Sequence, residues 1–423
     1  MPAERLVVRI ARLGAQGDGV AETAEGPLYV PFTVPGDVVE IARETGRRGA
    51  ASRRARLLAV MEPGRGRQTP PCPHFATCGG CALQHLGAAL YEDWARERIR
   101  TALGHHGFDT VPIAAPFIEQ PQSRRRLVLK AQVTGSRVLL GFRERRSHRL
   151  VDIHECPVAR PPLVALFDPL RDLLPHLLPP RAMAEINLTE TATGIDCVIA
   201  AEAPLGLACR EALAAFAVEW DLAAIHWSEQ GALETVVTRR PPMMDFDGIA
   251  VPLPPGAFVQ ATAGGEAALR AAVVEWTAGA ERIADLFSGI GTFALPLARG
   301  AAVHAVEGAR ALLEALDAGA RGAQGLRRVS VEHRDLFRRP LLPHELAAFD
   351  AVVFDPPRAG AMAQAQALAQ SRVPGVIAVS CNPNTFARDA RILVDGGYRL
   401  SAIRPVDQFL WSGQMELAAH FHR

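Results

Sequence analysis

The sequence predicts an α/β protein: a C-terminal doubly wound, Rossmann-like sheet, preceded by a β-rich central region and a small N-terminal β-barrel. Three observations carry this. From about residue 256 onward, strand-like and helix-like stretches alternate, the pattern of a mostly parallel sheet wrapped in helices. Residues 5–60 are short alternating apolar and polar runs punctuated by Gly and Pro, the pattern of a small barrel. Between these regions, strand-like runs predominate.

At 423 residues the chain is too long for one core. We expect three units: residues 1–62, 63–255 and 256–423. Hydrophobic residues make up 49%, enough for ordinary cores and against disorder. No stretch approaches the roughly 20 apolar residues of a membrane helix. The opening "MPAERLVVRIARLG" has no apolar signal region, so we expect a cytoplasmic protein.

In chain order, "RLVVRIARLG", "GVAETAEG", "PLYVPFTVPGDVVEIARE" and "ARLLAVMEP" are the barrel strands, and "EPGRGRQTPPCP" is a linker. Residues 88–105 have helical spacing, with Leu90, Trp94, Ile99 and Leu103 able to share a face. Strands follow at "RRRLVLKAQV", "RVLLGFRE" and "HRLVDIHECP", then a helical piece around 160–177 and further strands. The C-terminal part reads as helix "GGEAALRAAVVEWTAG", strand, Gly turn and helix "RIADLFSGIGTFALPLARG", then "AAVHAVEGARALLEALDAGA". "VSVEHRDL", "FDAVVFDPPRAG", "GVIAVSCNP", "YRLSAIRPVDQF" and "MELAAHFHR" are the remaining strands.

Net charge is +1, so there is no global basic field. Lys occurs once, at Lys130, and nearly all positive charge is Arg. Arginine-rich runs at 47–56, 124–126 and 143–149 are either solvated faces or phosphate contacts.

Seven cysteines in a chain expected to be cytoplasmic point away from disulfides, toward metal binding or nucleophilic catalysis. Cys72, Cys78 and Cys81 cluster in "CPHFATCGGC", and Cys156 follows in "HECP". Four thiolates suit structural zinc or an iron–sulfur cluster, and spacing alone leaves both open. A zinc ribbon more often shows two paired Cys-x2-Cys knuckles, which leans the reading toward iron–sulfur. Cys197 and Cys209 read as ordinary core residues.

In a doubly wound sheet, ligands bind at the carboxyl ends of the strands. There the sequence places Asp285–Gly291 ("DLFSGIG"), Glu307, Asp335, Asp355–Arg358 ("DPPR") and Cys381. Glu307, ending the second strand, is suited to two ribose hydroxyls. A nicotinamide dinucleotide would bring a pyrophosphate to this turn, and Asp285 would repel it. A cationic ligand without phosphate, such as S-adenosylmethionine, fits better. Cys381 ends a strand and is followed by Asn382-Pro383, a turn that exposes it, which suggests covalent activation of a carbon. Carbon 5 of uracil needs such help: a thiolate added at carbon 6 makes it nucleophilic. A base must then remove the carbon 5 proton, and Glu416 on the final strand is a candidate.

Together, "CPHFATCGGCALQH…HECP", "FVQ", "DLFSGIGTFALPLA", "DPPRAG", "VSCNP" and "QMELAAHF" resemble the RNA uracil-5-methyltransferases, in family order over essentially the whole chain. The branch they resemble most is the bacterial 23S rRNA enzymes with a TRAM domain. The resemblance implies a TRAM, OB-like RNA-binding barrel at the N-terminus and a class I S-adenosylmethionine-dependent domain at the C-terminus. It implies Cys381 as nucleophile and Glu416 as proton acceptor. It implies donor contacts from Gln260, Phe287, Glu307, Asp335 and Asp355, with Thr292 where the family has Asn. It also implies a 4Fe–4S cluster on Cys72, Cys78, Cys81 and Cys156, and packing of residues 90–118 on the catalytic domain. Ser288 stands where the family has Cys, Ala261-Thr262 depart from its "FQVN" element, and Gln414 is the nearest polar residue to its usual His. The target base must be flipped out of the RNA stack, which costs a few kcal/mol and asks for a wider RNA surface. The runs at 47–56 and 124–126 are candidates for that surface. We expect a monomer acting on RNA, with 23S rRNA ahead of tRNA and no membrane partner. The alternatives are RNA cytosine C5 methylation and a non-catalytic iron–sulfur RNA-binding protein.

Overall fold

Three large sheets and one two-stranded ribbon, Met243–Asp245 with Ala250–Pro252, organise the described residues of a computed structural model, which are 5–45, 51–135 and 137–423. Positions 47–50 of the first arginine-rich run lie outside the described residues.

The N-terminal sheet has six strands, with Arg5–Arg9 at one edge and Arg12–Leu13 at the other. These edges are consecutive pieces of one run. Arg5–Arg9 pairs with Val38–Thr45, and Arg12–Leu13 pairs with Gly19–Thr23. At the bend, the Ile10 amide bonds to Asp37 and the Ala11 amide to Val20. The sheet therefore closes on itself as a small barrel, around Ile10, Leu28, Val30, Val39 and Ile41. Closure leaves few unpaired strand edges.

The central sheet has seven strands, running from Leu150–Asp152 to Ala232–Thr238, with Arg126–Thr134 and Met183–Thr191 near its middle. Arg126–Thr134 alternates buried and half-buried residues, as a strand covered on one face must. Helices Phe167–Leu177 and Leu207–Glu219 contribute Leu170, Leu174, Leu213 and Phe216 to the core on that face. Cys197 is buried there, as expected, whereas Cys209 is half-exposed on the second helix.

The C-terminal sheet has eight strands, in the spatial order Val329–His333, Ala302–Glu307, Arg282–Leu286, Ala351–Phe354, Gly375–Ser380, Glu416–His422, Arg399–Asp407, Phe117–Ile118. The first five are parallel, and Glu416–His422 is antiparallel to both its neighbours. Strand order reverses between Arg282–Leu286 and Ala351–Phe354, which opens a crevice at their carboxyl ends.

The helix Ala88–Gly104 packs on this C-terminal unit, against helix Pro383–Asp395. Its buried stripe is Tyr91, Trp94, Ala95, Arg98, Ile99, Ala102 and Leu103. Trp94, Ile99 and Leu103 are buried as expected, and Leu90 packs half-buried at the edge of the same core, while Tyr91 lies deeper and donates to Asp407. Among the described residues, no helix is long and apolar enough to cross a membrane.

Candidate active site

The crevice begins where strand Arg282–Leu286 ends. Asp285 is fully buried in that strand, and neither of its carboxyl oxygens completes a hydrogen bond, although the Ala294 amide lies close enough to favour the charge. Burial, then Asp355 and Glu307, push its carboxyl well above the usual range. The chain then turns through Phe287, Gly289 and Gly291, all at positive φ. Phe287 carries a side chain in a conformation that L-residues rarely adopt, a strain typical of binding loops. A Cβ at Gly291 would lie 2.9 Å from Leu295 and Leu316, so the turn needs glycine there.

Glu307 ends the neighbouring strand. It accepts the Gly289 amide at 3.1 Å and the Ala309 amide at 2.9 Å, which ties the acidic tip to the glycine turn. Asp335 accepts the Phe337 amide at 3.0 Å. On the other side of the crevice, Asp355 accepts Nε2 of Gln260 at 3.2 Å. Burial raises the Asp355 carboxyl and the Gln260 hydrogen bond offsets part of that rise.

Cys381 follows strand Gly375–Ser380 directly. That strand pairs antiparallel with the final one, with Ser380 opposite Leu417. One step further, the register sets Cys381 across from Glu416. Asn382 caps the next helix by accepting the Asn384 amide, with Pro383 in the first turn, so the chain leaves the strand abruptly and Cys381 stays half-buried at its tip. Burial, then Glu416 and Asp355, push the Cys381 thiol up to about 11, with Arg358 acting the other way. Glu416 is buried, one of its oxygens has no partner, and burial followed by Asp355 raises its carboxyl, with a hydrogen bond from Gln408 acting the other way. Three groups that would be anionic thus crowd one end of the crevice, and a cation bound there would relieve all three.

These features share one cavity of about 500 Å3. Gln260, Phe287, Thr292, Glu307, Asp335, Asp355, Cys381 and Glu416, the residues singled out from the sequence, all line it. The volume suits a nucleoside-sized ligand. Two departures from the family pattern have a structural account. Thr262 turns away to cap helix Ala263–Trp276, accepting the Gly265 amide at 3.1 Å. Gln414 accepts from Arg358 at 2.6 Å.

A second cavity, of about 300 Å3, is lined by Cys72, Cys78, Cys81 and Cys156 together with Gln84, Arg124 and Phe409. It shares Phe258 and Val259 with the first. All four thiols are raised by burial first, Cys78, Cys81 and Cys156 also by neighbouring thiols and Cys72 by Glu155, and Cys81 reaches about 12. Among the described residues, no three His, Cys, Asp or Glu side chains are drawn together closely enough to hold a single metal ion.

The run at 124–126 differs from the expected phosphate stripe. Arg125 is buried and paired with Glu266 at 2.5 Å. Arg124 lies over Phe409 and Arg126 over Phe258, both at the cysteine cavity. In the 143–149 run, Arg145 and Arg146 reach Asp18 of the barrel.

Sequence reasoning missed the residues that hold the site. Tyr91 donates to Asp407 at 2.5 Å and accepts the Trp411 amide at 2.8 Å, while Arg98 donates to the Gly413 carbonyl. These bonds tie the loop leading into Glu416 to a helix more than 300 residues earlier. Gln408, fully buried beside Asp407, was also missed. The only signal was a polar pair, "DQ", directly after the apolar "PV" near the end of strand Arg399–Asp407.

A family profile described as tRNA (Uracil-5-)-methyltransferase matches residues 254–423. An uncharacterized RNA methyltransferase of Brucella suis is 46% identical over 412 residues, covering 97% of this chain and 96% of that protein. The 23S rRNA (uracil(1939)-C(5))-methyltransferase RlmD of Shewanella amazonensis is 32% identical over 415 residues, covering 96% and 93%. The crystal structure of Pyrococcus abyssi tRNA (uracil-54, C5)-methyltransferase in complex with S-adenosyl-L-homocysteine shares the fold, with a TM-score of 0.76 at 24% identity over 99% of this chain and 100% of that one.

Proposed function

Because the chain belongs to the S-adenosylmethionine-dependent RNA uracil-5-methyltransferases, we propose that it methylates carbon 5 of one uridine in 23S rRNA through a covalent bond from Cys381. The observation that carries the mechanism is the cross-strand placement of Cys381 and Glu416 at the end of the donor-sized cavity.

Cys381, as the thiolate that a bound cation favours, adds through sulfur to carbon 6 of the flipped uracil. The addition makes carbon 5 enolate-like. The donor supplies the methyl group that carbon 5 takes up. Carbon 5 then carries both methyl and hydrogen. The Glu416 carboxylate removes that proton, the carbon 5–carbon 6 double bond re-forms, and Cys381 leaves as thiolate. Phe287, Thr292, Glu307 and Asp335 would hold the donor, with Glu307 suited to its ribose, and Gln260 and Asp355 would stand where donor and uracil meet. A cation there would favour ionised Asp355, Glu416 and Cys381 together.

The cysteine cavity suits a 4Fe–4S cluster, since its four thiols line one space. Gln84 hydrogen-bonds toward the Cys72 and Cys81 thiols, and His74, whose buried nitrogen has no partner, belongs to the same lining. Cys72, Cys78, Cys81 and Cys156 would hold the cluster, which would pin residues 72–81 to the segment around 156. In this reading residues 1–62 are a TRAM, OB-like RNA-binding unit, 63–255 the cluster-bearing unit and 256–423 the methyltransferase unit. The enzyme acts in the cytoplasm as a monomer.

The test maps 5-methyluridine in 23S rRNA and tRNA from matched cells with and without this protein. Loss of one 23S rRNA mark is the expected result. Loss of a tRNA mark instead would move the substrate, and no loss anywhere would sink the uridine reading.

A further inference from the structure

We propose that Gln408 is a positioning residue: it fixes which way the Gln260 amide points, so that the pocket sets a hydrogen-bond donor beside the Asp355 carboxylate and accepts uracil in preference to cytosine. The proposal rests on the uridine reading above.

A primary amide offers a donor at one end and an acceptor at the other, and the two ends are nearly the same shape. A backbone N–H has no such ambiguity, because it only donates. The Ala261 amide lies 2.7 Å from Gln408, so the Gln408 atom facing it is the oxygen. The Thr262 amide approaches the same oxygen at 3.4 Å. The Gln408 nitrogen therefore faces Gln260, and the Gln260 atom 2.5 Å from it must be its oxygen. The Gln260 nitrogen is left toward Asp355, at 3.2 Å. One backbone donor thus sets the polarity of two side chains in series.

The frame around this relay is firm. Gln408 and Gln260 are 1% and 4% exposed. Arg125 donates its amide to the Ala261 carbonyl at 2.9 Å and its Nε to the Gln260 carbonyl at 3.1 Å, while its guanidinium is paired with Glu266. Neither glutamine can turn over without leaving a buried group unpaired.

The consequence is chemical. The Gln260 nitrogen carries two hydrogens. One goes to Asp355 and the other serves the cavity that Gln260 lines. A donor beside a carboxylate complements a carbonyl beside an N–H, which is the edge of uracil. Nitrogen 3 of cytosine is an acceptor and meets the carboxylate unfavourably. Were the Gln260 amide reversed, its oxygen would stand beside Asp355 and give the cavity an acceptor, which suits the amino group of cytosine. Sites that read hydrogen-bonding groups this way discriminate strongly. The Gln260 hydrogen bond also acts in this sense on Asp355, favouring the ionised form against burial.

The experiment uses the full-length protein with two transcripts: unmodified 23S rRNA, and the same RNA with the methylated uridine replaced by cytidine. Products are counted as 5-methyluridine and 5-methylcytidine by nucleoside mass spectrometry. Gln408→Glu keeps the shape and the acceptor for Ala261 but repels the Gln260 oxygen. Gln408→Met removes the relay without adding charge beside Glu416. For Gln408→Glu we expect 5-methyluridine formation to fall roughly 10- to 100-fold and the cytidine-to-uridine product ratio to rise about tenfold or more. Gln408→Met should lie between it and the wild type. Slower uridine methylation in both variants, with no gain of cytidine product, would make Gln408 merely structural and overturn the proposal. No 5-methyluridine from the wild-type protein on either 23S rRNA or tRNA transcripts would overturn the uridine reading, and this proposal with it.

Discussion

The two cavities share a wall at Phe258 and Val259 but are built in opposite ways. The carboxylate cavity gathers the ends of parallel strands from one sheet, so much of its lining is positioned by a single topological rule. The cysteine cavity sets a loop at 72–81 and a segment around 156 against strands of the central sheet, where Cys78 bridges to Glu144 and the Arg124 amide bonds to Val158, but neither cysteine segment is itself a strand of that sheet. The lesson is that the first should tolerate loss of its reactive groups and keep its shape, whereas the second should lose its shape with its ligands.

The largest expected effect separates chemistry from architecture. Cys381→Ala should lower methylation by on the order of 10^4-fold or more, since no other nucleophile stands opposite Glu416. Donor affinity by calorimetry should stay within a few-fold and the melting temperature should hardly move. A large drop in melting temperature would break the contrast.

Cys81→Ala should do the reverse. It removes one of the four thiols of the cysteine cavity and should destabilise the protein by about 4 kcal/mol or more. Iron and acid-labile sulfide content should fall together with the melting temperature. A variant that melts like the wild type would show that the four thiols are not an architectural site.

A pH experiment sharpens the electrostatic side. Asp285, Asp355 and Glu416 all have carboxyls raised in the fold. Such a group binds a proton in the native state that the unfolded chain releases above roughly pH 4. Its contribution to stability therefore falls as pH rises toward the raised folded value. The melting temperature of the ligand-free enzyme should be more sensitive to a rise from pH 5 to pH 8 than that of the donor-saturated enzyme, because a bound cation favours the ionised carboxyls. Asp285→Asn should flatten the ligand-free curve. Parallel curves for all three would refute the shared crowding.

The smallest effect tests the tie between the helix Ala88–Gly104 and the Glu416 loop. Tyr91→Phe removes the bond to Asp407 and the acceptor for Trp411. It should cost about 1–2 kcal/mol in stability and lower turnover more than donor affinity. Equal loss of both would assign Tyr91 to the fold alone.

Much of the site was legible from the sequence because its signals are local. "DLFSGIG" announces a strand and a turn with positive φ, and Gly291 meets that demand. "SCNP" announces a strand tip followed by a helix cap, and Asn382 is that cap. A strand tip in a doubly wound sheet is already a statement about where a ligand goes. The four clustered cysteines are likewise visible in any reading of composition and spacing. Local patterns also explain the errors. Leu90 and Tyr91 both fit a helical stripe, and only the partner surface with Asp407 sets Tyr91 the deeper of the two. Arg124, Arg125 and Arg126 look like one basic run, but alternation along an extended segment sends Arg125 inward to Glu266 and leaves its neighbours over aromatic rings.

By itself the sequence determined the kinds of elements, their order, the residues at the strand tips and the chemistry those residues can do. Periodicity, turn chemistry and capping act between near neighbours, so they are written in short stretches. Only the tertiary structure decided that Cys381 stands across from Glu416, that Gln408 orients Gln260, and that a helix near residue 90 holds the loop at 408–415. Those outcomes depend on antiparallel register and on the pairing of buried polar groups. A buried donor or acceptor must find a partner wherever the fold brings one, and that partner is often hundreds of residues away in the chain.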